Sequence, residues 1–149
     1  MWILLAVASL VVVAFLYWNL RKRFAASRIE TLLDKRRSTS RMASAAEFVE
    51  GNRHLQVALA VTNADLFYEN ADMEASLDLR WIREIEYDTR LATGPAVEGG
   101  EVLRIRCDSQ LFEFVLPTDV VKRWQVALPP RGQKEVPEEG PGLRAVSAP

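Results

Sequence analysis

The side chains that could do chemistry are few and scattered. His54 is the only histidine and Cys107 the only cysteine. A zinc site needs several His, Cys or carboxylate ligands held at close spacing. One His and one Cys cannot supply that set, so neither a metal site nor a cofactor site is expected. The single cysteine also excludes an intrachain disulfide. As a general base His54 would need a partner within hydrogen-bond reach, and the sequence identifies none. It stands at a strand start on the outward phase and reads as a surface histidine. Cys107 shares its phase with Leu103 and Ile105 and reads as a small buried apolar residue rather than a reactive thiol. No nucleophile elbow and no phosphate-cradling glycine loop occurs. No catalytic residue is expected, and the chain reads as a non-enzyme.

The residues that suit binding are different ones. Trp81 lies where a strand alternation breaks, between Arg80 and Arg83. It is either a corner residue of the core or an exposed anchor of the kind that, with Arg, is enriched at protein interfaces. Arg83, Arg104 and Arg106 fall on outward phases. They form a local basic face or pair across strands with Glu84, Glu86 and Asp88. Trp81, Arg83, Arg104 and Arg106 are therefore the candidate partner-binding residues.

The elements that carry these residues begin with an uncharged stretch. Met1–Leu20 contains no charge and ends in Arg21-Lys22-Arg23. About 20 apolar residues form a helix long enough to cross a bilayer core of roughly 30 Å. A removable signal carries its cations before the apolar core, and here they follow it, so a retained transmembrane helix is expected. Eight basic residues against two acidic ones between Arg21 and Arg41 place that flank in the cytoplasm and the amino terminus outside. Trp2, Tyr17 and Trp18, with Arg21, Lys22 and Arg23, are the expected membrane-interface anchors. The expected location is the inner or plasma membrane.

Charge is segregated along the 149 residues. Segment 21–41 has a net of +6, and segment 42–149, with eleven positive and eighteen negative residues, a net of −7. The basic part suits weak contact with anionic lipid, and the acidic part suits neither lipid phosphate nor nucleic acid. Residues 20–38 read as a helix with a thin apolar stripe, either a solvated stalk or an amphipathic surface helix. The excess of Arg over Lys, with abundant Ala and Val, is a bias typical of GC-rich bacterial coding.

From Ala45 the hydrophobic period becomes two. Leu55, Val57, Leu59 and Val61 alternate with Gln56, Ala58, Ala60 and Thr62, the pattern of a half-buried strand. Gly51-Asn52 makes Ala45–Glu50 its candidate hairpin partner. Further strands are expected at Leu66–Glu69, Met73–Leu79, Ile85–Leu91, Leu103–Cys107 and Phe112–Leu116, with Ala92–Gly100 as a long loop. After Pro117 the period becomes helical. Thr118 or Asp119 can cap the start, Val120, Val121, Trp124, Ala127 and Leu128 form one apolar face, and Pro129-Pro130 stops it. Residues 129–149 hold five Pro and three Gly and are expected to be disordered.

This order resembles the pleckstrin-homology-like superfold, in particular its GRAM and bacterial PH-like branches. The likeness is carried by Ala58–Glu69, similar to their strand, Thr-Asn turn, strand core. It continues in Leu77–Ile85 and in Phe112-Glu113-Phe114 followed by the helix of Trp124. The resemblance implies a seven-stranded antiparallel barrel or sandwich capped by one C-terminal helix, and it implies binding rather than catalysis. Members that bind inositol lipids carry a Lys/Arg cluster in the first hairpin. The matching turn, Glu50-Gly51-Asn52-Arg53, has one Arg beside a Glu, so headgroup recognition is not implied.

The expected organisation is a transmembrane helix at 1–20, a basic juxtamembrane segment at 21–42, a PH-like domain at 43–128 and a disordered tail at 129–149. The expected role is a membrane-anchored, non-enzymatic adaptor that binds another protein. The alternatives are a peripheral lipid-binding module or an accessory subunit of a membrane transport complex.

Overall fold

The computed structural model describes residues 2–132, with side chains described for residues 10–17 and 27–132. Helix α1 (Trp2–Arg37) is followed by strands β1 (Met42–Glu50), β2 (Arg53–Val61), β3 (Asp65–Glu69), β4 (Glu74–Asp78), β5 (Ile82–Asp88), β6 (Gly100–Cys107) and β7 (Gln110–Pro117), and then by helix α2 (Thr118–Ala127). The strands form one antiparallel sheet in the order β4-β3-β2-β1-β7-β6-β5.

Two expectations are corrected here. The first is closure. The seven strands make a single open sheet, with β4 and β5 as its edges and no ladder between them, so it is neither a closed barrel nor a sandwich of two sheets. The second is the membrane span. Among the described residues no helix is long and apolar enough to cross a membrane. Tyr17 is exposed. The side chains of Trp2, Trp18, Arg21, Lys22 and Arg23 lie outside the described residues. The single-pass topology and the membrane location built on that span are withdrawn with it.

Local sequence explains the ladder. Gly51, at φ +60°, takes the left-handed conformation that a side chain disfavours, and it lets β1 and β2 pair from Glu50↔Arg53 through to Met42↔Val61. Thr62 closes the next turn by accepting hydrogen bonds at Oγ1 from the N–H groups of Ala64 (3.2 Å) and Asp65 (3.0 Å). The interior is apolar and aromatic. Phe48, Tyr68 and Phe114 meet with ring centroids 5.2–5.4 Å apart, a separation that aromatic pairs favour, and Tyr68 meets Phe114 edge to face. Helix α2 packs Val120, Val121 and Trp124 onto this core. Neither Thr118 nor Asp119 caps it. Pro117 is the N-cap residue and makes no side-chain cap bond. Trp124 is fully buried, and its indole N–H donates to Ser44 Oγ at 2.8 Å. That bond satisfies the one polar atom of a ring otherwise surrounded by hydrocarbon.

The carboxyl-terminal part of α1 is joined to the sheet. Ile29 and Leu33 pack with Leu32 and Ala43 on Ala58. Arg36 places its guanidinium 4.0 Å from the centre of the Phe67 ring and pairs with Glu69, whose side chain is 2% exposed, and with Glu74 at 3.3 Å. The hydrogen bond to Glu69 raises the Arg36 pKa despite partial burial. Residues 28–37 thus supply the cation for a carboxylate buried inside the sheet domain.

Two stability measurements check this packing. Trp124→Ala is expected to cost about 3–5 kcal/mol in denaturant unfolding. Arg36→Met, which keeps the stem and removes the charge, is expected to cost about 3 kcal/mol because Glu69 loses its partner in a buried site. The double change Arg36→Met with Glu69→Gln should recover most of that loss.

Candidate functional site

The three-residue connection Leu79-Arg80-Trp81 runs from β4 to β5 and so joins the two edges of the sheet. Its geometry is over-determined. The Asp78 carboxylate accepts the backbone N–H of Arg80 at 2.9 Å and the Arg80 guanidinium at 2.6 and 3.1 Å. Those hydrogen bonds hold the Asp78 carboxyl below the usual carboxylate range. The Trp81 N–H donates to Asp78 O at 3.0 Å, and the Leu79 N–H donates to Ala64 O at 2.8 Å. A second arginine closes the corner from outside. Arg131 Nη2 donates to Leu79 O and to Ile82 O, both at 2.9 Å, so one guanidinium holds the carbonyls on either side of Arg80 and Trp81.

Within this rigid frame Trp81 is 60% exposed. It is an outward residue, not a core one. Arg83 stands beside it, at the register shift between Ile82 and Glu84 where β5 is bulged against β6. Bulges re-aim side chains, and here the Arg83 guanidinium meets Asp108 at 3.2 Å while remaining largely exposed. Trp81, Arg80 and Arg83 form an aromatic–cationic corner.

The other two candidates do not belong to it. Arg104 is 14% exposed and donates to Glu86 (2.8 Å), Asp88 (3.2 Å), Glu113 (3.1 Å) and the carbonyl of Arg90 (2.8 Å). Glu113 is itself buried and also accepts the N–H of Ala92 at 2.8 Å. This arrangement ties β5, β6 and β7 to the loop after β5. Burial pulls the Arg104 pKa down, and the bonds to Glu86 and Glu113 outweigh it, so the net direction is up. For Asp88 burial pushes up, and the N–H groups of Arg90 and Thr89 with Arg104 pull it down further, so the net direction is down. Arg106 pairs with Glu84 directly across the strands at 3.0 Å. These two arginines organise the sheet.

His54 lies at the edge of a cleft of about 400 Å³ with Leu91, Thr93, Val97 and Glu98, and its Nδ1 contacts the Glu47 carboxylate. Cys107 is half-buried against the core, and burial pushes its thiol up, away from the thiolate that a nucleophile requires. Among the described residues no group of His, Cys, Asp or Glu is placed to hold a metal.

Sequence reasoning missed Arg131. It lies in the Pro-rich stretch, and a single bridging residue leaves no periodic trace. The cross-strand pairing of Arg104 with Glu86 and Asp88, and of Arg106 with Glu84, is as the sequence predicts; the missed member is Glu113, which reaches Arg104 from a third strand.

Arg104→Met is expected to cost about 3–5 kcal/mol at neutral pH, since three carboxylates lose their shared cation. The Asp88 contribution, coming from a depressed folded pKa, is present above about pH 4 and lost as pH falls through the folded value. The deficit of the variant should narrow below about pH 4 in chemical denaturation followed against pH.

No family model, curated protein or solved structure matches this chain.

Proposed function

We propose that this chain is a non-enzymatic protein-binding module whose contact surface is the Trp81 corner. The observation that carries the reading is a tryptophan 60% exposed on a turn held in place by hydrogen bonds that it donates to Asp78 and Ala64 and accepts from Arg131. An exposed indole on a pre-ordered backbone loses little entropy on docking, and Trp and Arg dominate the energetics of interfaces. The partner it suits offers an apolar pocket for the ring, with carboxylates at the rim for Arg80 and Arg83. The likeness to the pleckstrin-homology-like superfold goes with this reading. Its support is the element order alone, seven antiparallel strands followed by a helix bearing a buried Trp124, since the single open sheet lacks the closure that the likeness implies.

A photo-reactive amino acid placed at position 81, with position 126 as a remote exposed control, identifies the partner by cross-linking in the native cell. Trp81→Ala is then expected to weaken the purified complex by about 2 kcal/mol, close to 30-fold in Kd. It should change unfolding stability by less than about 0.5 kcal/mol. A partner that binds Trp81→Ala as tightly as the parent protein removes the corner from the interface.

A further inference from the structure

Open sheets have two free edges, and an edge strand presents unpaired N–H and C=O groups that another strand can adopt. The β4 edge is short, five residues with Glu74 and Asp78 at its ends. The β5 edge is longer and is partly taken. Arg131 forms an antiparallel bridge to Ile85, its N–H donating to Ile85 O at 3.1 Å and its carbonyl accepting the Ile85 N–H at 2.9 Å. Its guanidinium holds the carbonyls of Leu79 and Ile82. Gly132 follows at φ +71°, and a Cβ there would stand 2.6 Å from the carbonyl oxygen of Arg83. The position admits no side chain. Backbone pairing, a guanidinium on two carbonyls, and a residue without a side chain define what this edge accepts.

The chain's own segment fills the edge incompletely. In an antiparallel ladder alternate residues face the same side, so Tyr87, two residues beyond Ile85, turns its N–H and C=O to the same edge. Continuing the register from Arg131↔Ile85 brings Pro129 opposite Tyr87. Proline has no N–H to donate, so the Tyr87 carbonyl gains no partner from it. An extended segment with any other residue at that place forms a rung that Pro129 cannot.

We infer that the outer edge of β5 is a strand-docking site for an extended segment of a partner protein that carries Arg-Gly with a non-proline residue two places before the Arg. Residues Pro129–Gly132 hold the site in cis. The inference does not require Trp81 as a contact, since every recognition element is backbone of β4–β5 or space beside it.

The test uses the full chain and a fluorescein-labelled peptide Thr-Val-Thr-Arg-Gly-Gln. Arg131→Ala with Gly132→Val removes the clamp and forces the segment off Arg83, leaving the edge free. A tethered competitor acts at an effective concentration in the millimolar range, so the peptide is expected to bind the double variant at least 10-fold more tightly than the parent chain. Replacing the peptide's arginine by alanine should weaken that binding at least 10-fold. Hydrogen exchange at the Ile85 amide should speed at least 10-fold in the double variant and slow again with peptide. A cooperative melt with native near-ultraviolet dichroism certifies the fold, and Arg131→Ala alone serves if the double variant lacks it. Unchanged Ile85 exchange, absent peptide binding, or equal binding of the alanine peptide overturns the inference. A dimer of the parent chain that the double variant loses assigns the edge to a second copy and overturns the partner assignment.

Discussion

Three residues join strands that lie at opposite ends of a seven-stranded sheet, and the remaining architecture follows from that constraint. Laid flat, the six gaps between β4 and β5 would separate the edges by about 29 Å. The path from Asp78 to Ile82 reaches at most about 14 Å. The sheet therefore curls until its edges converge at the Leu79-Arg80-Trp81 turn. Curling creates an interior, which Phe48, Tyr68 and Phe114 fill and Trp124 completes. Yet the edges form no ladder, so β5 keeps a free side along which Arg131 pairs.

Polar groups inside such a sheet must be matched, because an isolated buried charge is costly. Among the described residues the two buried carboxylates, Glu69 and Glu113, are matched in the same way. Each receives one arginine from a different element: Arg36 from α1 and Arg104 from β6. The first pairing fastens the helix to β3, and the second fastens three strands to a loop. Neither arginine is free for a partner. Arg80 and Arg83, whose ion pairs are solvent-exposed, gain far less from those pairs and can exchange them.

What the sequence made legible is local. The alternation through Val57, Leu59 and Val61, the Gly51-Asn52 turn and the helical face of Trp124 all depend on neighbours within a few positions, and all have their counterparts in β2, the β1–β2 hairpin and α2. The failures have a common physical origin in distance along the chain. Arg36 meets Glu69 from 33 residues away and Arg131 meets Ile82 from 49. An alternation pattern reveals strands but carries no information on whether the last strand closes on the first, so an open sheet and a barrel look alike. The uncharged stretch at 1–20 showed the opposite weakness. Its composition is that of a span, yet among the described residues no helix is long and apolar enough to cross a membrane.

The bond between Trp124 and Ser44 joins residues 80 positions apart, and β1, at the centre of the sheet, has β7 as its second neighbour through Glu47↔Val115, Phe48↔Phe114 and Val49↔Glu113. This wiring sets the order of assembly on the ribosome. The meander β1–β4 can pair as it emerges, but one flank of β1 stays bare until β7 has been synthesised, and the mouth stays unplugged until α2 follows. The domain is born in two instalments, with its central strand temporarily serving as an edge. Contacts of such long range make folding slow, and they leave the nascent chain exposed to unwanted strand pairing until β7 and α2 arrive.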